Sequence, residues 1–227
     1  MNIRLREVRG ILFDLDNTLY PRERGVFDLI RERICEFVAR VTGLGPSEVL
    51  ALRREYISRY GTTLGGLMAR HKVDPEGFME FVHDDIPVEE LLGPDPRLSS
   101  FLGSIDLPMV IFTNASGKHA RRVLETMGIE GFFHGICDLE KTGFLGKPHR
   151  GAFEKASGML SHPLSKTIFI DDVQENIAAG GRFGALTVFI GSPENGTADL
   201  EAGRVTDLEG RFCEMPWFGR SGWKTGF

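Results

Sequence analysis

Two aspartates near the N-terminus have the residue type and spacing that acid–base chemistry requires. Asp14 follows the apolar run Gly10–Phe13, and Asp16 lies two residues further on. If Asp14 ends a strand, both carboxylates point to the same side, where they can bind a hard cation and divide the work of proton transfer. A solvated turn is the alternative, because acidic and amide residues such as Asn17 are common in turns.

A second pair of aspartates, Asp171 and Asp172, follows another apolar run at residues 167–170, and Asn176 comes four residues later. Adjacent carboxylates at the end of a strand repel each other, so a cation is expected nearby, and Mg²⁺ is the simplest choice. The alternative is an acidic helix start, which would interact favourably with the helix dipole.

Two further positions could bind a phosphate group. Thr113 and Asn114 follow the apolar run at residues 109–112, where a hydroxyl and free backbone N–H groups can hold phosphate or, alternatively, cap the next helix. Lys147 precedes Pro148, which stiffens the loop that carries the lysine. The ammonium group could neutralise transition-state charge, although a lone lysine is more often solvated.

Short apolar runs predict the strands that position these side chains. They cover residues 10–13, 109–112, 133–137, 167–170 and 187–190. Nearly continuous apolar runs are typical of a parallel sheet covered on both faces, and helical patterns at residues 118–127, 149–160 and 174–183 alternate with them. We therefore predict an α/β fold with a doubly wound, mostly parallel sheet. Ligands bind beyond the carboxyl ends of such strands, where the polar residues lie.

The connection between the first two strands is much longer than a usual loop. Its apolar residues show helical spacing, most clearly at residues 26–41. We predict a core formed by residues 1–20 and 94–210, an inserted helical cap at residues 21–93, and a C-terminal tail at residues 211–227. The tail is rich in aromatic residues and glycine, and could dock on the core, lie in a dimer contact or be disordered.

Composition excludes several classes of protein. The chain has 227 residues, 41% of them hydrophobic, and a formal net charge of -5. These values fit a globular protein and disfavour a partner that is a nucleic acid polymer. The apolar runs are too short to cross a membrane, and the N-terminus shows no secretory signal. Three scattered cysteines argue against disulfides and zinc, which favours the cytoplasm. Monomer and homodimer both remain open.

The order and spacing of the motifs resemble the haloacid dehalogenase-like (HAD) superfamily of phosphohydrolases, over nearly the whole chain to about Gly191. The first motif, Asp-x-Asp-x-Thr, stands at residues 14–18, and the others are represented by Thr113, Lys147 and the acidic group at residues 171–176. The resemblance implies a Rossmann-like core with an inserted cap and a Mg²⁺ cofactor.

The resemblance also implies a role for each aspartate. Asp14 would be the nucleophile that forms an aspartyl phosphate. Asp16 would protonate the leaving oxygen and then accept a proton from water. An acid at that position favours phosphoryl transfer over carbon–halogen cleavage, because dehalogenases of the superfamily lack it, whereas a mutase is harder to exclude.

The remaining motif residues would hold the metal and the phosphoryl group, again by resemblance. The implied metal ligands are Asp14, the backbone carbonyl of Asp16, Asp172 and, through water, Asp171, with Asn176 in support. The implied contacts to the phosphoryl oxygens are Thr113, Asn114 and Lys147.

The amino-acid sequence around the motifs is similar to that of the pyrimidine 5′-nucleotidase branch of the superfamily. The similar segments are residues 17–20, 60–67, 71–74, 112–120 and 147–156. They imply a small phosphomonoester substrate, a nucleoside monophosphate such as UMP or CMP. Tyr20 and Tyr60 could stack on a base and Asn17 could bond to its edge, although Tyr60 could simply end a cap helix.

Other functions remain open. The substrate could be another small phosphomonoester, such as a sugar phosphate, phosphoglycolate or pyridoxal phosphate. A protein of another class could keep the HAD fold as a regulatory phosphate-binding module. A phospho-receiver is disfavoured by the long cap, since a receiver needs an accessible aspartate. His83 precedes two acidic residues, but no partner histidines lie at a suitable place nearby, so no metal site is predicted there.

Overall fold

Six parallel strands form one sheet in the computed structural model, which describes residues 5, 7–192, 196 and 198–219. The strands are β1 Gly10–Phe13, β2 Met109–Phe112, β3 Gly135–Cys137, β4 Thr167–Asp171, β5 Leu186–Ile190 and β6 Leu200–Ala202. Their order across the sheet is β3-β2-β1-β4-β5-β6, and every pairing is parallel. The predicted α/β class with a doubly wound parallel sheet is therefore confirmed, and β6 is a strand that was not predicted.

Helices fill most of the connections. They are α1 Val26–Thr42, α2 Pro46–Tyr60, α3 Thr63–His71, α4 Pro75–His83, α5 Val88–Leu91, α6 Pro96–Gly103, α7 Gly117–Met127, α8 Arg150–Met159, α9 Gln174–Arg182 and α10 Glu209–Phe212. Helix α6 was not predicted, although Asp95 caps it and Pro96 occupies its first position, which are both typical helix-start signals. Within the described residues, each helix is too short or too polar to cross a lipid bilayer.

The strand order reverses between β1 and β4. The chain runs from β1 to β2 and β3 on one side of the sheet, and then crosses to β4 on the other side. Phe13 pairs with Ile170 in the β1–β4 register, so the next residues of both strands, Asp14 and Asp171, emerge side by side. A reversal of this kind opens a crevice at the carboxyl ends of the strands, where ligands bind.

Alternate residues of β1 face different apolar layers. Ile11 and Phe13 belong to the layer on one face of the sheet, while Leu12 belongs to the layer on the other face. Burial on both faces explains why the strand sequences are apolar throughout rather than alternating with polar residues. The polar residues that follow the strands are therefore held in place by a well-packed sheet.

The helices of the predicted cap have an apolar cluster of their own. It includes Val49, Tyr56, Leu67 and Phe78, and Leu139 from the core joins it. The cap also bonds to α7 of the core through ion pairs. Asp84 lies 2.7 Å from the ammonium nitrogen of Lys118, and Glu89 pairs with Arg122. The predicted residue boundaries between core and cap stay predictions.

The C-terminal tail docks on the core as far as Gly219. Phe212, Met215, Trp217 and Phe218 are buried in the core cluster. The indole N–H of Trp217 donates to the carbonyl of Leu5 at 2.9 Å. Of the three alternatives that the sequence left open, docking on the core therefore describes this part of the tail. Residues 220–227 lie outside the described residues.

Candidate active site

The turn after β1 holds the first two predicted carboxylates inside the protein. Asp14 continues the β1–β4 pairing, because its backbone N–H donates to the carbonyl of Ile170 at 2.9 Å. Asn17 then adopts a left-handed conformation with a φ of 63°, which Asn tolerates better than most residues. Asp14 and Asp16 are only 7% and 8% exposed, so the alternative of a solvated turn is wrong.

Three carboxylates meet where β1 and β4 end. One oxygen atom from each of Asp14, Asp171 and Asp172 lies within 4.8 Å of the other two. Burial raises the pKa of Asp172 to about 7, and repulsion from Asp171 adds to this rise. Burial also raises the pKa of Asp14 well above its ordinary range, and attraction to Lys147 offsets only part of that effect. The surrounding protein therefore leaves this negative charge incompletely compensated.

This cluster fits a magnesium ion chemically. Mg²⁺ takes oxygen ligands and is usually held by one or two carboxylates, and a cation here would relieve the repulsion that raises the pKa values of Asp14 and Asp172. Asp171 is already engaged by the protein. Its carboxylate accepts hydrogen bonds from the backbone N–H of Val173 at 2.8 Å and from the amide of Asn176 at 3.1 and 3.2 Å.

Lys147 bridges the two strand ends. Its ammonium nitrogen lies 2.5 Å from Oδ1 of Asp14 and 2.6 Å from Oδ2 of Asp171, and its side chain is 2% exposed. Burial acts to lower the pKa of this lysine, but attraction to the two aspartates outweighs burial and raises the pKa above its ordinary value. The lysine is therefore a buried cation within the carboxylate cluster, and the alternative of a solvated side chain is wrong.

Asn114 fastens the loop that carries Lys147. Its amide nitrogen donates to the carbonyl of Lys147 at 2.9 Å, and its amide oxygen accepts from the backbone N–H of the same residue at 2.7 Å. Thr113 beside it is buried. Neither residue caps α7, because the cap is Ser116, whose hydroxyl accepts from the N–H of His119. The capping alternative is therefore wrong, and contacts of Thr113 and Asn114 with phosphate stay predictions.

Tyr20 and Asn17 face the carboxylates in this structure. The hydroxyl of Tyr20 donates to Oδ1 of Asp16 at 2.5 Å, and the residue is 2% exposed. A ring so deeply buried has no face open to a nucleobase, which disagrees with the predicted stacking role. Burial raises the pKa of Asp172, and a hydrogen bond from the side chain of Asn17 offsets part of this rise, so this amide is directed at the cluster.

Two histidines that were not predicted as site residues lie near Asp16: His119 contacts it, and His83 packs on His119. The Nε2 atom of His119 is 2.9 Å from Oδ1 of Asp16. The ring of His83, from the cap, lies 4.8 Å from that of His119, and burial lowers the pKa of His83 to about 4. His119 stands in the first turn of the helix after a strand end and within the segment 112–120 noted above, but neither signal predicted its contact with Asp16.

Burial and hydrogen bonding act in opposite directions on Asp16. Burial favours the protonated carboxyl, but attraction to His119 and the hydrogen bonds from His119 and Tyr20 outweigh it, so the pKa of Asp16 lies below its ordinary value. Asp14 and Asp16 thus occupy different electrostatic environments, since the pKa of Asp14 is raised. Two carboxylates held in different environments can take different roles in one reaction.

A cleft of about 670 Å³ separates part of the cap from the loop that carries Lys147. The cap side is formed by the end of α2 and by α3, and includes Tyr60 and Gly61. The core side includes Phe144, Leu145 and Pro148. Tyr60 ends α2 as the sequence predicts, and its position on this cleft is compatible with either of its two predicted roles.

The sheet topology, with carboxylates and a lysine at the strand ends, places the chain among doubly wound α/β proteins whose ligands bind at the carboxyl ends of the strands. The chain belongs to the haloacid dehalogenase-like hydrolase family, whose model matches residues 8–184. The superfamily resemblance inferred from the motifs is therefore confirmed.

Individual relatives carry more specific names. The chain is 30% identical over 182 residues to phosphate metabolism protein 8 of Saccharomyces cerevisiae; the match covers 73% of this chain but 56% of the yeast protein. It is 26% identical over 195 residues to glyceraldehyde 3-phosphate phosphatase of Methanocaldococcus jannaschii, covering 81% of this chain and 85% of that protein.

Solved structures show the same fold. The HAD phosphatase from Thermococcus onnurineus matches with a TM-score of 0.62 and 16% identity, covering 92% of this chain and 99% of that one. Identity at this level supports the shared architecture and carries no information about the substrate.

Proposed function

We propose that this protein is a Mg²⁺-dependent phosphomonoesterase that uses Asp14 as its nucleophile and acts on pyrimidine nucleoside 5′-monophosphates such as UMP and CMP. The observation that carries the proposal is the buried cluster at the ends of β1 and β4. There Asp14 lies 2.5 Å from the ammonium group of Lys147 and beside the carboxylates of Asp171 and Asp172. Family membership supports the same chemistry.

The proposed reaction has two displacements. Asp16 takes up a proton from solvent when the negatively charged phosphate enters the site, because a nearby like charge raises the pKa that His119 and Tyr20 otherwise hold low. An oxygen of Asp14 then attacks phosphorus, the ester P–O bond breaks, and Asp16 gives this proton to the departing oxygen. Water then attacks the phosphorus of the aspartyl phosphate and transfers a proton to Asp16, and the bond between phosphorus and Asp14 breaks to release phosphate. Both carboxylates return to their starting states.

Positive charge near the phosphoryl group would lower the barrier to both displacements. Lys147 supplies one such charge and orients Asp14 through their contact. Asp14, Asp172 and the backbone carbonyl of Asp16 would hold a Mg²⁺ ion, with Asp171 acting through water, and the ion would supply further positive charge against the phosphoryl oxygens.

The choice of substrate rests on the resemblance of both core and cap segments to the pyrimidine 5′-nucleotidase branch. A second candidate substrate, a small sugar phosphate, is favoured by the relative from Methanocaldococcus jannaschii, which is named a glyceraldehyde 3-phosphate phosphatase. Both candidates use the same chemistry and differ in what the cap must accept.

Phosphate release from a panel of esters tests the proposed function. At fixed Mg²⁺ we expect kcat/KM for UMP and CMP to exceed that for AMP, GMP, phosphoglycolate, pyridoxal phosphate and glyceraldehyde 3-phosphate by at least about tenfold, the discrimination that one or two pocket contacts supply. A maximum at glyceraldehyde 3-phosphate would favour the second candidate. The absence of turnover with every ester would contradict phosphatase activity itself. The Asp14→Asn variant, prepared in parallel, controls for contaminating phosphatases.

Magnesium dependence has two expected signatures. EDTA should abolish turnover, and added Mg²⁺ should restore it. In EDTA the thermal midpoint should also fall as the pH rises, because folding raises the pKa of Asp172 from 3.8 to about 7. A carboxyl group whose pKa is raised by folding stabilises the folded state fully when the pH is below the pKa of the unfolded chain. That stabilisation is lost as the pH rises through the pKa of the folded protein. Saturating Mg²⁺ should therefore raise the midpoint more above pH 7, where Asp172 is ionised, than at about pH 5.

The Asp172→Asn variant is the matched control for that shift. It removes one carboxylate with little change of shape, and should lose most of the stabilisation by Mg²⁺. Activity that is indifferent to EDTA would contradict the metal site. So would a stabilisation by Mg²⁺ that is as large in the Asp172→Asn variant as in the wild type.

A further inference from the structure

Two hydrogen bonds converge on a single oxygen of Asp16. The Tyr20 hydroxyl lies 2.5 Å from Oδ1 of Asp16, and the Nε2 atom of His119 lies 2.9 Å from the same oxygen. The second carboxylate oxygen, Oδ2, takes no part in this pair of contacts. A carboxyl group that exchanges protons with substrate and water needs one oxygen for that exchange, and a fixed position for the other.

His119 is itself held from three directions. Its backbone N–H donates to the hydroxyl of Ser116, the cap of α7. The preceding residue, Lys118, pairs with Asp84 of the cap at 2.7 Å. The ring of His83 lies against that of His119 with an interplanar angle of 32°. Core and cap together thus keep the imidazole, which is 2% exposed, directed at Asp16.

Packing alone does not account for a histidine at this position. The Nδ1 atom of His119 is buried and has no hydrogen-bonding partner within the described part of the chain. An aliphatic side chain would fill the same space without burying an unpaired polar atom, which is unfavourable. What the imidazole provides here, and an aliphatic side chain does not, is the hydrogen bond from Nε2 to Asp16.

We propose that His119 is a positioning residue for the acid–base step. With Tyr20 it anchors Oδ1 of Asp16, and so directs Oδ2 toward the leaving oxygen in the first displacement and toward water in the second. His83 supports this arrangement from the cap, because its ring packs on that of His119. This role rests on the proposed phosphatase function.

Two esters with different leaving groups distinguish a role of His119 in positioning the acid from a general structural role. An alkyl leaving oxygen, as in UMP, needs a proton as the ester bond breaks, whereas 4-nitrophenolate is stable enough to depart without one. We expect His119→Leu to lower kcat for UMP, or for the panel ester that the wild type uses best, by about 100-fold, the lower end of what general acid–base catalysis contributes. On 4-nitrophenyl phosphate the loss should be about tenfold smaller, and KM should change little for both esters.

Three further variants complete the test. His119→Gln can place an amide donor near Oδ1 of Asp16 and should recover at least part of the lost kcat for the alkyl ester. Tyr20→Phe removes the other donor at little cost in volume, and should show the same dependence on the leaving group, which keeps the test decisive if His119→Leu folds poorly. His162→Leu, at the loop before the amino end of β4, is the matched control and should match the wild type.

The outcomes distinguish this role from the proposed function. A wild type that hydrolyses neither ester would contradict the proposed function. With an active wild type, equal losses on both esters in His119→Leu and Tyr20→Phe, or no recovery by His119→Gln, would overturn the positioning role alone. Unequal losses with recovery by the glutamine variant would establish it.

Discussion

Replacing Asp14 with asparagine is expected to lower turnover by at least about 10³-fold, the scale seen when a catalytic nucleophile is removed. The amide oxygen is neutral and cannot form a stable acyl phosphate, so the first displacement fails. The fold should persist, because asparagine has nearly the same shape as aspartate and Lys147 keeps its ion pair with Asp171. Steady-state phosphate release and a thermal melt measure the two effects.

A matched control keeps this result interpretable. Asp106→Asn makes the same chemical change at an exposed position near the amino end of β2, at the opposite edge of the sheet, and should leave turnover unchanged. Mass spectrometry of acid-quenched wild type should also detect a phosphoryl group on the peptide that contains Asp14. An Asp14→Asn enzyme that keeps a tenth of the wild-type rate would contradict the assignment of the nucleophile.

Replacing Lys147 with methionine is expected to have the second largest effect. The ammonium group lies between Asp14 and Asp171, and removing it leaves buried carboxylates facing each other. Breaking a buried pair in this way costs about 3–5 kcal/mol of stability. Loss of a cation that stabilises transition-state charge should also lower kcat by about 10²–10³-fold. Urea unfolding and steady-state kinetics measure the two losses separately.

Magnesium provides a further check on the reason for the lost stability. If uncompensated negative charge destabilises Lys147→Met, then Mg²⁺ should recover more stability in this variant than in the wild type. Lys155→Met, an exposed lysine on α8, is the control and should change neither property. A Lys147→Met protein with nearly wild-type kcat would show that the lysine takes no part in catalysis.

The sheet and most helices were predictable because their signals are local. A strand buried on both faces must be apolar along its whole length, and the run at Gly10–Phe13 carries that pattern. The motif residues could be assigned to one edge because the carboxyl ends of parallel strands meet there. Strand β6 was missed because its three residues, Leu200–Ala202, carry too little pattern. Helix α6 was missed although Asp95 and Pro96 are typical helix-start signals.

The sequence by itself determined the fold class and the placement of Asp14, Asp171 and Asp172 at strand ends, because these follow from the periodicity of the apolar runs. It also indicated the family, through the resemblance of its motifs. Only the tertiary structure decided what each polar side chain contacts. It directs Tyr20 to Asp16 rather than to a base, and Asn114 to the backbone of Lys147. It also brings His119 to Asp16 across 103 positions. Hydrogen bonds over such separations depend on how the elements pack, which local sequence patterns do not encode.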